Sequence, residues 1–406
     1  MGFFGTRRIY LDYASATPVS AQALRAMRES ERLVGNPSSI HSEGVEAKHA
    51  LENSRSKIAA ELACKAREII FTSGITESNN LAILGCARKR ELSPAGMTGT
   101  HWIVSSIEHA SVLECFNEIE RMGGAVSHVD PDSHGVISPD AVARSLCSGT
   151  VFVSIGWTNN ELGVVQPLSA IKQVLREHEE KHGTSIIFHT DAGQGPLYRP
   201  LQVHTLGVDL LALGSAKLYG PHGIGCLYVS NRSPVASLIL GGGQERGLRA
   251  GTESVALTAG FAEALMQCAR ERDVEAKRLA KLRNMLAERL AEGIHGLVIN
   301  GDLKRALPHM LNISIPDIRS EYFMLALDRA GIAVSTKSAC NEGEMSRSHV
   351  VLRLAEAAAK EVGETHAQAW RSENTLRFSL GRATSARDIK RVSDECIAIT
   401  NRMKSS

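Results

Sequence analysis

Between residues 68 and 229 the chain repeats one pattern: a short apolar run, a break of glycine and polar residues, then a stretch with helical spacing. The runs lie at 68–71, 102–105, 125–129, 151–155, 186–188, 210–213 and 225–229, about seven in all. Brief apolar runs separated by helices predict an α/β fold, with a mostly parallel sheet buried on both faces. Ligands of such sheets sit outside the carboxyl ends of the strands. Chemistry is therefore sought just past each run.

The run at 186–188 is followed by Asp191 and Gln194, and the run at 210–213 by Gly214-Ser215-Ala216-Lys217. A carboxylate and an amine at neighbouring strand ends suit pyridoxal phosphate. The amine bonds the aldehyde, and the carboxylate pairs with the pyridinium nitrogen that makes the ring an electron sink. A surface lysine and a strand-end aspartate beside ordinary turns would read the same, so this stretch alone leaves both open. The run at 68–71 ends in Thr72-Ser73-Gly74-Ile75-Thr76, before a helix with Leu81 and Leu84 on one face. Free N–H groups at a helix start attract anions, which makes this turn a candidate phosphate cradle. Any capped helix after a strand looks similar.

Outside the repeat, residues 241–253 are rich in glycine and arginine, suited to an anion, a subunit contact or plain solvation. An amphipathic helix follows, with Leu279, Leu282, Leu286 and Leu290 in register, stopping at Gly293. Strands are expected at 311–315, 332–334 and 376–380, and a helix at 321–329. Arg377 on the last strand could fork a carboxylate or serve a structural ion pair. The eight cysteines form no CxxC pair, so neither a zinc site nor a disulfide framework is indicated. Most fall in apolar or helical stretches. Cys340 sits instead in a polar stretch beside a lysine, where a thiolate becomes reactive.

At 406 residues the chain is too long for one ordinary core. A net charge of +2 gives no reason to expect nucleic acid or an anionic membrane. No apolar run approaches the length of a bilayer span. The first eight residues hold two arginines and no apolar leader, so a cytoplasmic location is expected, with a very short mitochondrial signal the alternative.

Several of these stretches occur in the order found in one family. They include Tyr10-Leu11-Asp12-Tyr13, Gly35-Asn36-Pro37, the 71–80 turn, Glu108-His109, Asn159-Asn160-Glu161, Asp191-Ala192-Gly193-Gln194, Lys217-Leu218-Tyr219-Gly220, residues 243–249, Ser338-Ala339-Cys340 and Arg377-Phe378-Ser379. Over nearly its whole length the chain resembles the cysteine desulfurases, pyridoxal phosphate enzymes of the class-V aminotransferase group with fold type I. The resemblance implies a large cofactor-binding unit over 15–260, and a smaller α+β unit of 1–14 and 261–406 carrying the reactive cysteine.

It also implies roles. Lys217 would hold the cofactor and move protons, Asp191 would keep the pyridine nitrogen protonated, and Gln194 would bond the ring hydroxyl. His109 would stack on the ring and assist proton transfer. The backbone of Gly74 and Ile75, with Thr76 and Ser215, would hold the phosphate. Thr252 would reach it from the neighbouring subunit, implying a homodimer. Asn160 and Arg377 would grip the substrate carboxylate. Cys340 would take sulfur from L-cysteine as a persulfide, leaving alanine, and deliver it to an acceptor protein such as an iron–sulfur scaffold or a tRNA-thiolation partner. No metal is implied. The alternatives are another class-V enzyme, such as a selenocysteine lyase or an aminotransferase, or a degenerate non-catalytic paralogue.

Three departures stand out. The family reads Ser-x-His-Lys where this chain has Gly214-Ser215-Ala216-Lys217, Lys337 precedes Ser338 where glycine is usual, and 356–373 resembles an insertion.

Overall fold

The computed structural model describes residues 7–93, 96–336, 347–363 and 368–405. In chain order its strands are β1 (Ile9–Tyr10), β2 (Ile69–Thr72), β3 (His101–Ser105), β4 (Ala125–Val129), β5 (Thr150–Ser154) and β6 (Ile187–Asp191). They continue with β7 (Leu210–Gly214), β8 (Gly225–Val229), β9 (Val298–Ile299), β10 (Met310–Ser314), β11 (Ile332–Ala333) and β12 (Thr375–Ser379). Seven of them form one sheet in the order β2-β8-β7-β6-β5-β3-β4. All seven apolar runs between 68 and 229 are thus strands of a single sheet. It is parallel except for β8, which runs antiparallel to both β2 and β7.

Alternation along the strands shows why the runs are continuously apolar. Ile103, Val153, Phe188, Leu211 and Leu213 pack into one core, while Trp102, Phe152, Ile187 and Leu210 pack into another on the opposite face. With both faces covered, each side chain of a run loses water, worth about 1.5–3 kcal/mol per large apolar residue. Trp102 stacks on Phe152 at 4.8 Å between centroids, and Phe116 meets Trp102 edge-on at 6.4 Å.

The strands after residue 293 build a separate antiparallel sheet, β12-β10-β9, and β11 pairs with β1. Two helices start earlier than their apolar spacing implies. The one expected after residue 80 begins at Ile75, capped by Gly74. The amphipathic helix seen at 279–290 is the second half of a 39-residue helix, Val255–Gly293, started by the Ser254 hydroxyl accepting from Leu257 N–H. Its first half holds five alanines, and its apolar stripe there is mixed, Leu257, Phe261 and Leu265, where the second half repeats leucine.

Among the described residues the cysteines are all free: five are buried, Cys64 is half-buried and Cys147 is exposed. None of the helices described is long and apolar enough to cross a membrane.

Candidate active site

β2, β3, β5, β6 and β7 all end at one edge of the sheet, and a cavity of about 330 Å³ opens there. That size suits a small-molecule site. Its wall includes Gly74, Ile75, Thr76, His109, Asn160, Asp191, Gln194, Lys217 and Arg377. Nine sequence-predicted residues from six separate stretches of the chain therefore meet at one place.

Asp191 closes β6, and its carboxylate is held from two sides: Gly193 N–H donates to Oδ1 at 2.9 Å and Asn79 Nδ2 to Oδ2 at 2.8 Å. Lys217 ends the short helical turn after β7. Its Nζ donates to the carbonyls of Ala14 and Ser15 at 2.7 and 2.6 Å, so the amine is fixed by the N-terminal segment. Gln194 donates from Nε2 to Ala14 O at 2.7 Å and keeps its buried Oε1 without a partner.

His109 caps the helix Ala110–Arg121, its Nδ1 accepting from Ser111 N–H at 3.1 Å. Burial lowers its pKa, and Lys217 and His349 add to that, against Asp191 and Glu161. Glu108 is buried beside it and is raised to about 8, chiefly by burial and then by the Asp191 charge; the Gly156 N–H it accepts works the other way.

The sign follows for stability. A folded pKa above the unfolded value gives a contribution complete below the unfolded pKa near 4.5, and lost as pH climbs through about 8. Relative to Glu108→Gln, the unchanged protein loses up to a few kcal/mol between pH 5 and 9. Thermal unfolding of both across that range measures it, and parallel curves would contradict it.

Arg377 on β12 is 2% exposed. Nη1 donates to Asn160 O at 2.8 Å, and Nη2 to Asp12 Oδ1 at 2.8 Å and Ser15 Oγ at 2.7 Å; Nε is buried without a partner. The Asp12 contact is a structural ion pair, yet the guanidinium also lines the cavity. The ion-pair reading is thus present in the fold, and the guanidinium stands where a ligand in the cavity could meet it.

Ser215 is a correction. Its side chain does not line the cavity; Oγ is fully buried without a partner and lies 2.1 Å from where a Cβ on Gly220 would stand. One step of register turns the hydroxyl into the core, and the absence of a side chain at 220 makes room for it. Gly214 and Ala216, in the positions of the family's serine and histidine, contribute no polar side chain. A Cβ on Gly214 would meet Ile75 Cγ1 at 2.5 Å, and one on Gly193 would meet Ile75 Cδ1 at 2.8 Å. Ile75 therefore fills the space above these strand ends, and glycine at 214 is its counterpart. Gly214→Ser should lower stability by about 1–3 kcal/mol and loosen cofactor binding, and adding Ile75→Ala should restore both. Melting and equilibrium dialysis with pyridoxal phosphate test this; a single variant that binds as tightly as the unchanged chain would refute it.

Thr252 is exposed in its loop and does not line the cavity of a single chain. The segment before it is pinned: buried Glu245 accepts from Arg55 Nη1 and Nη2 at 2.7 and 2.8 Å and from Phe71 N–H at 2.9 Å. Lys337, Ser338 and Cys340 lie outside the described residues. The backbone just before them pairs with Arg377, through Arg377 N–H to Ser335 O at 2.7 Å. Just after them, Ser348 Oγ donates to Glu161 Oε2 at 2.5 Å, and His349 Nε2 lies 3.0 Å from Glu108 O.

Sequence reasoning missed Ala14, Ser15 and Asp12 as parts of the site, and the bridging role of Asn79 and Ser111. Apart from the Ser111–His109 pair, two residues apart, their contacts to the site cross sequence distances of 32 to 365 residues, and no local spacing announces them.

The residues fit pyridoxal phosphate. The cavity joins an amine, a hydrogen-bonded carboxylate and the opening N–H groups of the helix Ile75–Glu91, which have no partners within the helix. The partnerless Gln194 Oε1 and Arg377 Nε are buried polar atoms of the kind that a bound group satisfies.

Residues 9–392 match the aminotransferase class-V family. The chain is 35% identical to a cysteine desulfurase IscS of Dictyoglomus turgidum, over 98% of this chain and 96% of that protein. It is 36% identical to a mitosomal cysteine desulfurase of Encephalitozoon cuniculi, over 98% and 88%. Among solved structures, a NifS-like protein superposes with a TM-score of 0.87 at 30% identity, over 97% of this chain and 100% of that one. SspA in complex with cysteine superposes at 0.75 with 33% identity, over 92% and 98%. With this sheet, this cavity and these relatives, the chain belongs to the class-V aminotransferase family and, within it, to the cysteine desulfurases.

Proposed function

We propose that this chain is a pyridoxal phosphate-dependent cysteine desulfurase that removes sulfur from L-cysteine, releases L-alanine and keeps the sulfur as a persulfide on Cys340. The convergence of Lys217, Asp191 and Arg377 on one cavity carries this reading. Bound there, pyridoxal phosphate supplies an aldehyde for the substrate amine and a ring that takes up electron pairs released at the substrate carbons.

The chain's own residues do the rest. Arg377, braced by Asp12, Ser15 and Asn160 O, meets the substrate carboxylate, with Asn160 beside it. Lys217 takes the Cα proton and returns it at a neighbouring carbon. Asp191 keeps a proton on the pyridine nitrogen, and Gln194 bonds the ring hydroxyl. The backbone of Gly74 and Ile75, with Thr76, holds the phosphate, joined by Thr252 of a second copy in a homodimer. His109 covers the ring and exchanges protons with substrate. Cys340, as thiolate, attacks the substrate sulfur: an S–S bond forms, the C–S bond breaks, and its electron pair stays with the carbon that becomes the alanine methyl.

Delivery goes to an acceptor protein, for iron–sulfur assembly or tRNA thiolation. The partition of the sheets, with β2–β8 in one and β9–β12 in others, supports the division into 15–260 and 1–14 with 261–406. We place the protein in the cytoplasm, with an organelle the alternative for which the mitosomal relative is a precedent. The test is alanine release from L-cysteine by the purified holoenzyme. Cys340→Ser should lose nearly all of it, and undiminished release would reject the persulfide step.

A further inference from the structure

Asp191 and His109 are 82 residues apart, yet one run of hydrogen bonds joins them. Asn79 Nδ2 lies 2.8 Å from Asp191 Oδ2 and 2.9 Å from Ser111 Oγ. Ser111 Oγ lies 2.9 Å from His109 Nδ1, and Ser111 N–H also donates to that nitrogen at 3.1 Å.

The direction of each bond can be derived. A carboxylate only accepts, so the Asn79 amide must turn its nitrogen to Asp191. The second hydrogen of that nitrogen goes to Ser111 Oγ, which becomes an acceptor there. The hydroxyl then has its own proton to give, and His109 Nδ1 is beside it. With a backbone N–H aimed at it as well, Nδ1 faces two donors. It can only accept, and the proton of the neutral ring belongs on Nε2.

We infer that Ser111 is a positioning residue that carries the orientation set by Asp191, through the Asn79 amide, to His109 and so fixes which ring nitrogen holds the proton. Its consequence for catalysis rests on the role proposed above for His109. The groups facing the ring are Asp191 from β6 and Glu161 beyond β5, which favour a charged imidazole, and Lys217 and His349, which oppose it; burial opposes it most. The Ser111 contacts add to the neutral side, because a protonated Nδ1 would confront the Ser111 N–H.

The experiment uses holoenzyme labelled with ¹⁵N-histidine, with the His109 signals assigned by their loss in His109→Gln. The unchanged protein should show Nδ1 bare and Nε2 protonated near neutral pH. In Ser111→Ala the backbone N–H still faces Nδ1 but the hydroxyl donor is gone, so the preference for Nε2 should weaken and a measurable share of the proton should move to Nδ1. The acid limb of kcat/KM for alanine release should then move up by roughly 0.5–1 pH unit, the equivalent of one ordinary hydrogen bond. Ser111→Thr, which keeps the hydroxyl, should restore both readouts.

A proton on Nδ1 in the unchanged protein overturns the inference whether or not any variant folds. So do His109 signals in Ser111→Ala that match those of the unchanged protein, or an equal rate loss in the alanine and threonine variants with no movement of the acid limb. Failure of the His109 role would look different: His109→Gln would leave the pH profile unaltered, while the nitrogen signals would still decide the part played by Ser111.

Discussion

Lys217→Ala releases alanine from cysteine roughly 10²–10⁴-fold more slowly than the unchanged chain, because the variant loses both the amine that bonds the cofactor and the base that moves the Cα proton. Among the described residues no other lysine lines the cavity. The two carbonyls that hold Nζ, Ala14 O and Ser15 O, belong to the N-terminal segment and remain in place, so the fold should survive. Dialysis separates two components of the effect. The unchanged protein should keep its cofactor and visible colour, while the variant should lose them. A variant that kept full activity would place the chemistry on some other amine and end the case for this cavity.

Arg377→Lys should raise KM for cysteine by about one to two orders of magnitude and change kcat much less. The guanidinium serves Asn160 O, Asp12 and Ser15 at once, with Nε still to pair. A lysine ammonium is a single point with three donors and cannot brace itself on those groups while also forking a carboxylate. Its loss is therefore felt in binding before chemistry. Steady-state kinetics on cysteine over a wide concentration range measure the split. Unchanged KM with a collapsed kcat would move Arg377 from substrate binding to the reaction itself.

How far the sequence could be read depended on the range of each interaction. The sheet was legible because burial on both faces forces an unbroken apolar run, and that mark is local. Asp191 and Lys217 were legible because they stand just past such runs. The start of the helix Ile75–Glu91 was not, since Ile75 is followed by five polar residues, Thr76 to Asn80, that give no apolar spacing. Half of the helix Val255–Gly293 was also hidden, because its first half mixes Leu257, Phe261 and Leu265 with five alanines where the second half repeats leucine. Ser215 shows a limit of transfer by motif: the residue type is present, but one step of register and the space at Gly220 turn its hydroxyl away. Asn79 and Ser15 act through partners distant in the chain, and Ser111 joins its near neighbour His109 to the distant Asn79, so only the folded geometry brings these three into the site.

The most direct test is a single turnover of holoenzyme with one equivalent of L-cysteine, followed by mass spectrometry of the peptide containing residue 340 and a count of the alanine released. One added sulfur on Cys340 for each alanine is the expected result. Alanine formed while Cys340 stays unmodified would contradict it.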